Sequence, residues 1–276
     1  MTLTTQRRYK SANGLAYLKT GSGTPIVLVH GVGLRAEAWL NQAPLLSQQH
    51  RVYAIDMPGH GNSDLLDQED AGLDEFVDAI AAWITAEISE PVIMIGHSMG
   101  SMIALNFAMR YPALCTGVAA LNAVYRRTPE AVQAVQQRAR DMVKNPAFDQ
   151  VTTPVRRWFS QNPQGLEKQM AGLCAEWLLA APTTGYARAY QIFSRNDGPP
   201  DAALTALEIP VIFITGACDT NSSGQMAERM AALCPYGRYA VIADSRHMLP
   251  MTHPEAVNPL LADFIQRCGA QTRSQT

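Results

Sequence analysis

Gly96-His97-Ser98-Met99-Gly100 sets a serine between two glycines. A serine hydroxyl is a weak nucleophile. It attacks a carbonyl only with a base in hydrogen-bond reach and a carboxylate that orients the base. Six histidines are available for the first role. Asp56, Asp219 and Asp244 each come soon after an apolar run and are candidates for the second. In a G-x-S-x-G pattern the serine sits on a sharp strand-to-helix turn that lifts its hydroxyl off a sheet. The helix that follows offers unpaired N–H groups and a positive dipole end to a developing oxyanion. Five letters recur by chance, and a buried glycine turn with a capping serine would read the same. The surrounding elements decide between the two.

Those elements form a regular series. Two short extended runs within residues 6–20 flank Asn13-Gly14, a hairpin signal. Apolar runs follow at Ile26–Val29, Arg51–Ile55, Val92–Ile95, Val118–Leu121, Val211–Thr215 and Tyr239–Ile242. Helical spacing covers Asp74–Ile88 and Met99–Tyr111. Continuous apolar runs alternating with helices predict a doubly wound, mostly parallel α/β sheet. Val92–Ile95 stops at Gly96 and the next helix begins just after Ser98, as the turn requires. The alternation breaks over 124–202, where helix-like stretches at 129–144, 154–160, 167–180 and 183–195 follow one another. This predicts a core of residues 1–123 and 203–276 with an inserted helical cap at 124–202. The tail after Gly269 is expected to be disordered.

The chain has 276 residues, 47% hydrophobic and 17% charged, with a formal net charge of −2. That suffices for a full core and gives no basis for a nucleic-acid partner or a polybasic membrane anchor. The five cysteines form no CxxC pair, which argues against a disulfide framework or a structural zinc. The first residues lack the apolar stretch of a signal peptide, and no apolar run approaches the roughly 20 residues of a membrane span. A soluble, cytoplasmic protein without metal or cofactor is the expectation. A homodimer through the cap or an edge strand fits the sequence as well as a monomer does.

With HGVG at 30–33, DMPGHGNSD at 56–64, GHSMG at 96–100, ITGACD at 214–219 and the late His247, the sequence resembles the α/β-hydrolase superfamily over residues 8–268. The resemblance implies Ser98 as nucleophile, His247 as base and Asp219 as the acid, in the family's chain order. His30 falls in a motif that is structural in the family, His97 adjoins Ser98 on a tight turn, and His253 precedes Pro254. Some relatives carry the acid after the strand that follows the nucleophile helix. Here that stretch is Leu121-Asn122-Ala123, without an acid, so the resemblance points to Asp219. It places the oxyanion donors at the backbone N–H groups of Val32 and Met99. Two positions depart from the common pattern: Arg246 stands where many relatives have glycine, and Met99 is larger than the usual residue.

The expected activity is hydrolysis of a small carboxylic ester, thioester or lactone through an acyl-enzyme. Carbon–carbon bond hydrolysis of a carboxylate-bearing dienoate or β-diketone is the alternative, and a non-enzymatic small-molecule receptor is the alternative from another class. The cap carries ten cations against seven acids and eight of the chain's aromatics, Phe148 among them. Leu34, Tyr125, Trp158 and Met248 are expected to line the substrate site. Arg126, Arg127, Arg156, Arg157 and Arg188 are candidates to hold a substrate carboxylate.

Overall fold

A computed structural model describes residues 7–145 and 149–275; Phe148 lies outside them. Eight strands form one sheet: β1 (Arg8–Lys10), β2 (Ala16–Thr20), β3 (Pro25–Val29), β4 (Arg51–Ile55), β5 (Val92–His97), β6 (Cys115–Leu121), β7 (Val211–Gly216) and β8 (Gly237–Ile242). Their order is β1-β2-β4-β3-β5-β6-β7-β8. β1 and β2 are the antiparallel hairpin, and β2 also pairs antiparallel with β4. All other pairs are parallel. The chain is therefore a mostly parallel, doubly wound α/β fold.

The parallel strands are buried on both faces, and their side chains divide by alternation. Val27, Val29 and Met94 enter one core with Trp83 and Phe107. Ile26, Leu28, Ile93 and Ile95 enter the other with Trp39 and Phe264. Helices supply the outer layers. α1 (Ala43–Leu46), α2 (Leu73–Glu87) and α3 (Met99–Arg110) precede β6. Between β6 and β7 come α4 (Pro129–Lys144), α5 (Thr152–Trp158), α6 (Gly165–Ala180), α7 (Thr183–Arg195) and the short α8 (Asp201–Thr205). α9 (Gly224–Leu233), α10 (Leu249–Thr252) and α11 (Pro254–Gln275) follow. α11 runs past Gly269, where the sequence suggested that order ends. Ala270–Gln275 holds no proline to stop it. No helix among the described residues is long and apolar enough to cross a membrane.

The start of α4 shows how local chemistry sets these helices. Thr128 accepts a hydrogen bond from the Ala131 amide, and Pro129 fills the first helical position, where no N–H is needed. A third apolar cluster joins the inserted helices to the sheet domain. Phe159, Met170, Ala171 and Cys174 pack there against Leu34, Ala38, Met248 and Met251.

The strand order reverses at β3, with β4 on one side and β5 on the other. A crevice opens at such a switch point, outside the carboxyl ends of the strands. An ion cluster fixes the loops there. Asp56, fully buried after β4, accepts from the Ala36 and Asn62 amides at 2.8 and 2.9 Å and pairs with Arg8. Arg8 also meets Glu37 at 2.5 Å, and Arg35 meets the same carboxylate at 2.8 Å. Removing Asp56 takes one of two carboxylates from Arg8 and leaves the Ala36 and Asn62 amides without their acceptor. Asp56→Ala is therefore expected to destabilise the fold by about 3 kcal/mol or more. Urea denaturation checks this; a loss under about 1 kcal/mol would show the cluster to be only a surface ion pair.

Candidate active site

Ser98 lies between β5 and α3 with φ 55° and ψ −117°, outside the regions that L residues prefer. Its amide donates to the Leu121 carbonyl at 2.8 Å, and its carbonyl accepts from Ser101 Oγ at 2.5 Å. The turn leaves no room for side chains on either flank. A Cβ on Gly96 would fall 2.1 Å from the Gly100 oxygen, and one on Gly100 would fall 2.0 Å from the Val29 oxygen.

His247 follows β8 and Asp219 follows β7. His247 Nδ1 donates to Asp219 Oδ2 at 2.8 Å, and both side chains are buried. Asn122 Nδ2 donates to the same oxygen at 2.8 Å, as does the Ser222 hydroxyl, while the Asn221 amide donates to Oδ1 at 2.8 Å. Burial alone would raise this carboxyl's pKa. The neighbouring imidazole and the donors from Ser222 and Asn221 outweigh it and hold the pKa well below the usual carboxylate range. With Nδ1 committed to Asp219, Nε2 is the nitrogen able to accept a proton. Ser98 and His247 face one cavity but are not joined by a hydrogen bond here. Such contacts are commonly long until substrate is bound.

Three further histidines act as neutral brackets. His97 Nε2–H donates to the His247 carbonyl at 2.8 Å, which fixes the backbone of the base. Burial, with the His247 ring beside it, pushes the His97 pKa down to about 3. His60 Nε2 accepts from the Gly33 amide at 3.0 Å, and burial lowers its pKa to about 4. His30 accepts from the Met57 amide at 3.0 Å and donates to the Gly31 carbonyl at 2.7 Å; burial keeps it neutral too. These bonds shape the turn at 30–33, where Gly33 has φ 78°. Val32 lines the cavity and Met99 opens α3. Neither backbone amide has an acceptor among the described residues.

The cavity is a small, partly open cleft that Ser98 and His247 share. Leu34 and Trp158 line it, and the Trp158 ring lies 6.1 Å from that of His247. Tyr125 and Met248, expected there, do not. The Tyr125 side chain is buried in the core with its hydroxyl on Asp201. Met248 turns away from its neighbour His247 into the Leu34–Met251 cluster. Tyr190, Phe193, Arg157 and Asn221 complete the wall instead. No group of three or more His, Cys, Asp or Glu among the described residues is placed to hold a metal ion.

Residues 26–260 match the model of the alpha/beta hydrolase family. The chain belongs to that family. It is 38% identical over 250 residues, 91% of this chain and 93% of the other, to the (E)-2-((N-methylformamido)methylene)succinate hydrolase of Acinetobacter baylyi. It is 25% identical to 3-oxoadipate enol-lactonase 1 of the same organism, over 87% of this chain and 88% of that one. Among solved structures, a thermophilic esterase from Thermogutta terrifontis superposes with a TM-score of 0.84 at 24% identity, covering 95% of this chain and 99% of the other. That likeness shows the fold.

Several residues that shape this hydrolase site carry no signal in the sequence. Asn122 registers there only as a missing acid, and Ser222 as a loop serine. Asn122 reaches Asp219 because β6 lies beside β7, and Ser222 because it follows three residues on in the same loop. His97 reads as a side chain pointing away from Ser98, and nothing in the sequence shows that its ring reaches the backbone of His247.

The buried histidines make the hydrolase's stability depend on pH. In the fold, His60 and His97 stay neutral down to about 4 and about 3. In the unfolded chain they take up protons near 6.5. Between those values the unfolded state binds more protons, so stability falls as pH falls. The slope approaches about 1.4 kcal/mol per pH unit for each ring. The urea midpoint is expected to drop from pH 7 to pH 5, and the drop to shrink in His60→Gln. Equal midpoints would mean that the rings charge within the fold.

Proposed function

We propose that this hydrolase cleaves a small carboxylic ester, thioester or lactone through an acyl-enzyme on Ser98. The observation that carries this is the buried His247–Asp219 pair opening onto the cavity that exposes Ser98. In the proposed sequence, Ser98 Oγ attacks the carbonyl carbon as His247 Nε2 takes its proton, and Asp219 stabilises the imidazolium. The carbonyl oxygen gains negative charge and receives the N–H groups of Val32 and Met99, each worth roughly 3–4 kcal/mol of barrier. The carbon–leaving-group bond breaks as His247 returns the proton to the departing atom. Water then gives a proton to His247 and attacks the acyl carbon. Ser98 leaves with that proton, and the carboxylic acid is released.

A second reading rests on the Acinetobacter baylyi relative. Its name describes a small acid with two carboxylates and an N-methylformamido group on a methylene carbon. This supports acid derivatives of that size as substrates, with a bond other than an ester as a second target for the same residues. Carbon–carbon hydrolysis of a carboxylate-bearing compound falls under this reading.

Fluorophosphonate labelling with peptide mapping, alongside p-nitrophenyl acetate turnover, tests the proposal. The label is expected on Ser98, with turnover at background in Ser98→Ala and His247→Ala. Asp219→Asn is expected to lower kcat by about 10⁴-fold. Full turnover in Ser98→Ala would overturn the assignment. Labelling of Ser98 without steady-state turnover on any acyl substrate would favour a receptor.

A further inference from the structure

The sequence offers five cap arginines without distinguishing among them, and the structure separates them. Arg126 pairs with Asp201 and Arg127 with Asp197, while Arg188 donates to the Leu66 carbonyl at 3.2 Å. None of these lines the cavity beside Ser98, and neither does Arg156. Arg157 does, at the exposed end of α5, next to Trp158. No Asp, Glu or Lys among the described residues shares that wall. The side-chain partner of Arg157 is the Asn221 amide oxygen, which is neutral and leaves the guanidinium charge uncompensated.

Two further observations bear on this wall; in the first, the guanidinium is one already paired with Asp197. Arg127, whose side chain is only 4% exposed, stacks on Phe193 with 4.4 Å between guanidinium carbon and ring centroid. Phe193 is part of the wall, so a second guanidinium stands directly behind it. Its Nη2 has no hydrogen-bond partner among the described residues. Asn221, for its part, is held by its amide on Asp219 Oδ1, so the brace of Arg157 belongs to the loop that carries the acid. Arg157 and His247 line the same pocket, so one small molecule can meet both.

We propose that Arg157, braced by Asn221, binds a second carboxylate of the substrate, so that the enzyme selects monoesters of short dicarboxylic acids over neutral esters of the same length. This rests on the acyl-enzyme reading above. A guanidinium–carboxylate contact at a partly exposed rim is worth about tenfold in affinity.

The test compares kcat/KM for monomethyl succinate and methyl butyrate by pH-stat. It is paired with calorimetric titration of monomethyl succinate into Ser98→Ala protein, where binding is read without turnover. The wild type is expected to prefer the anionic ester by about tenfold or more, chiefly through KM. Arg157→Gln brings that ratio to about one and weakens binding in the Ser98→Ala background by about tenfold. Arg157→Lys, which keeps the charge but not the fork, falls between the two. Arg156→Gln, on the same helix but off the cavity, keeps the wild-type ratio. Turnover of both esters without preference, or a preference unaltered in Arg157→Gln, overturns the anchor and leaves the acyl-enzyme standing. Arg157-dependent binding without turnover of either ester supports the anchor and counts against the acyl-enzyme. Neither turnover nor binding overturns both.

Discussion

Where the turn at Ser98 crosses the end of β3, backbone meets backbone with no side chain between. The Gly100 position approaches the Val29 oxygen so closely that even a methyl group would collide, and a Cβ on Gly31 would sit 3.2 Å from that of Ser98. This approach sets the first turn of α3 against the strand that leads into the 30–33 loop. It brings Val32 and Ser98 to one pocket, although 66 residues separate them in the chain. The unfavourable φ of Ser98 costs on the order of 1–3 kcal/mol. It is held by Leu121 and Ser101 on the backbone and by the apolar layers on either face of the sheet.

The treatment of charge follows from the same burial. A buried imidazole that stays neutral offers one donor and one acceptor, and His30 and His60 use both. His97 aims its donor at the His247 carbonyl. None of these rings takes a proton near neutral pH, so none adds a positive charge beside His247. The negative charge at Asp219 is treated in the opposite way. Asn122, Ser222, the Asn221 amide and His247 all donate to it, which keeps it ionised despite its burial. Asp219 thus stays an anion beside His247, in a setting of neutral rings.

How much of this can be read without coordinates depends on the range of each interaction. The parallel strands are legible because burial on both faces makes them apolar throughout, and the serine turn because its glycines are required by local backbone contact. Ser98, His247 and Asp219 stand at the carboxyl ends of such strands, so their order along the chain carries information. Asn122 is different. Its meaning comes from the pairing of β6 with β7, which places it against a residue 97 positions away. Tyr125 and Met248 show the limits of proximity in sequence. Each lies near a strand end, yet one is drawn into the core by Asp201 and the other into an apolar cluster. Arg156 and Arg157 are identical as letters, and only the rotation of α5 distinguishes the one that meets the cavity.

The division of labour in the molecule follows from these two kinds of position. Strand ends hold the reacting groups, and their spacing is fixed by backbone hydrogen bonding whatever the substrate. The opposite wall is built by α5 and α7. The two parts are coupled through packing. Met248 adjoins His247, Leu34 adjoins the 30–33 loop, and both pack against Met170, Cys174 and Met251. Three of those side chains are methionines, whose unbranched thioethers repack at low cost. Such an interface joins the inserted helices to the residues beside His247 and the 30–33 loop through flexible side chains.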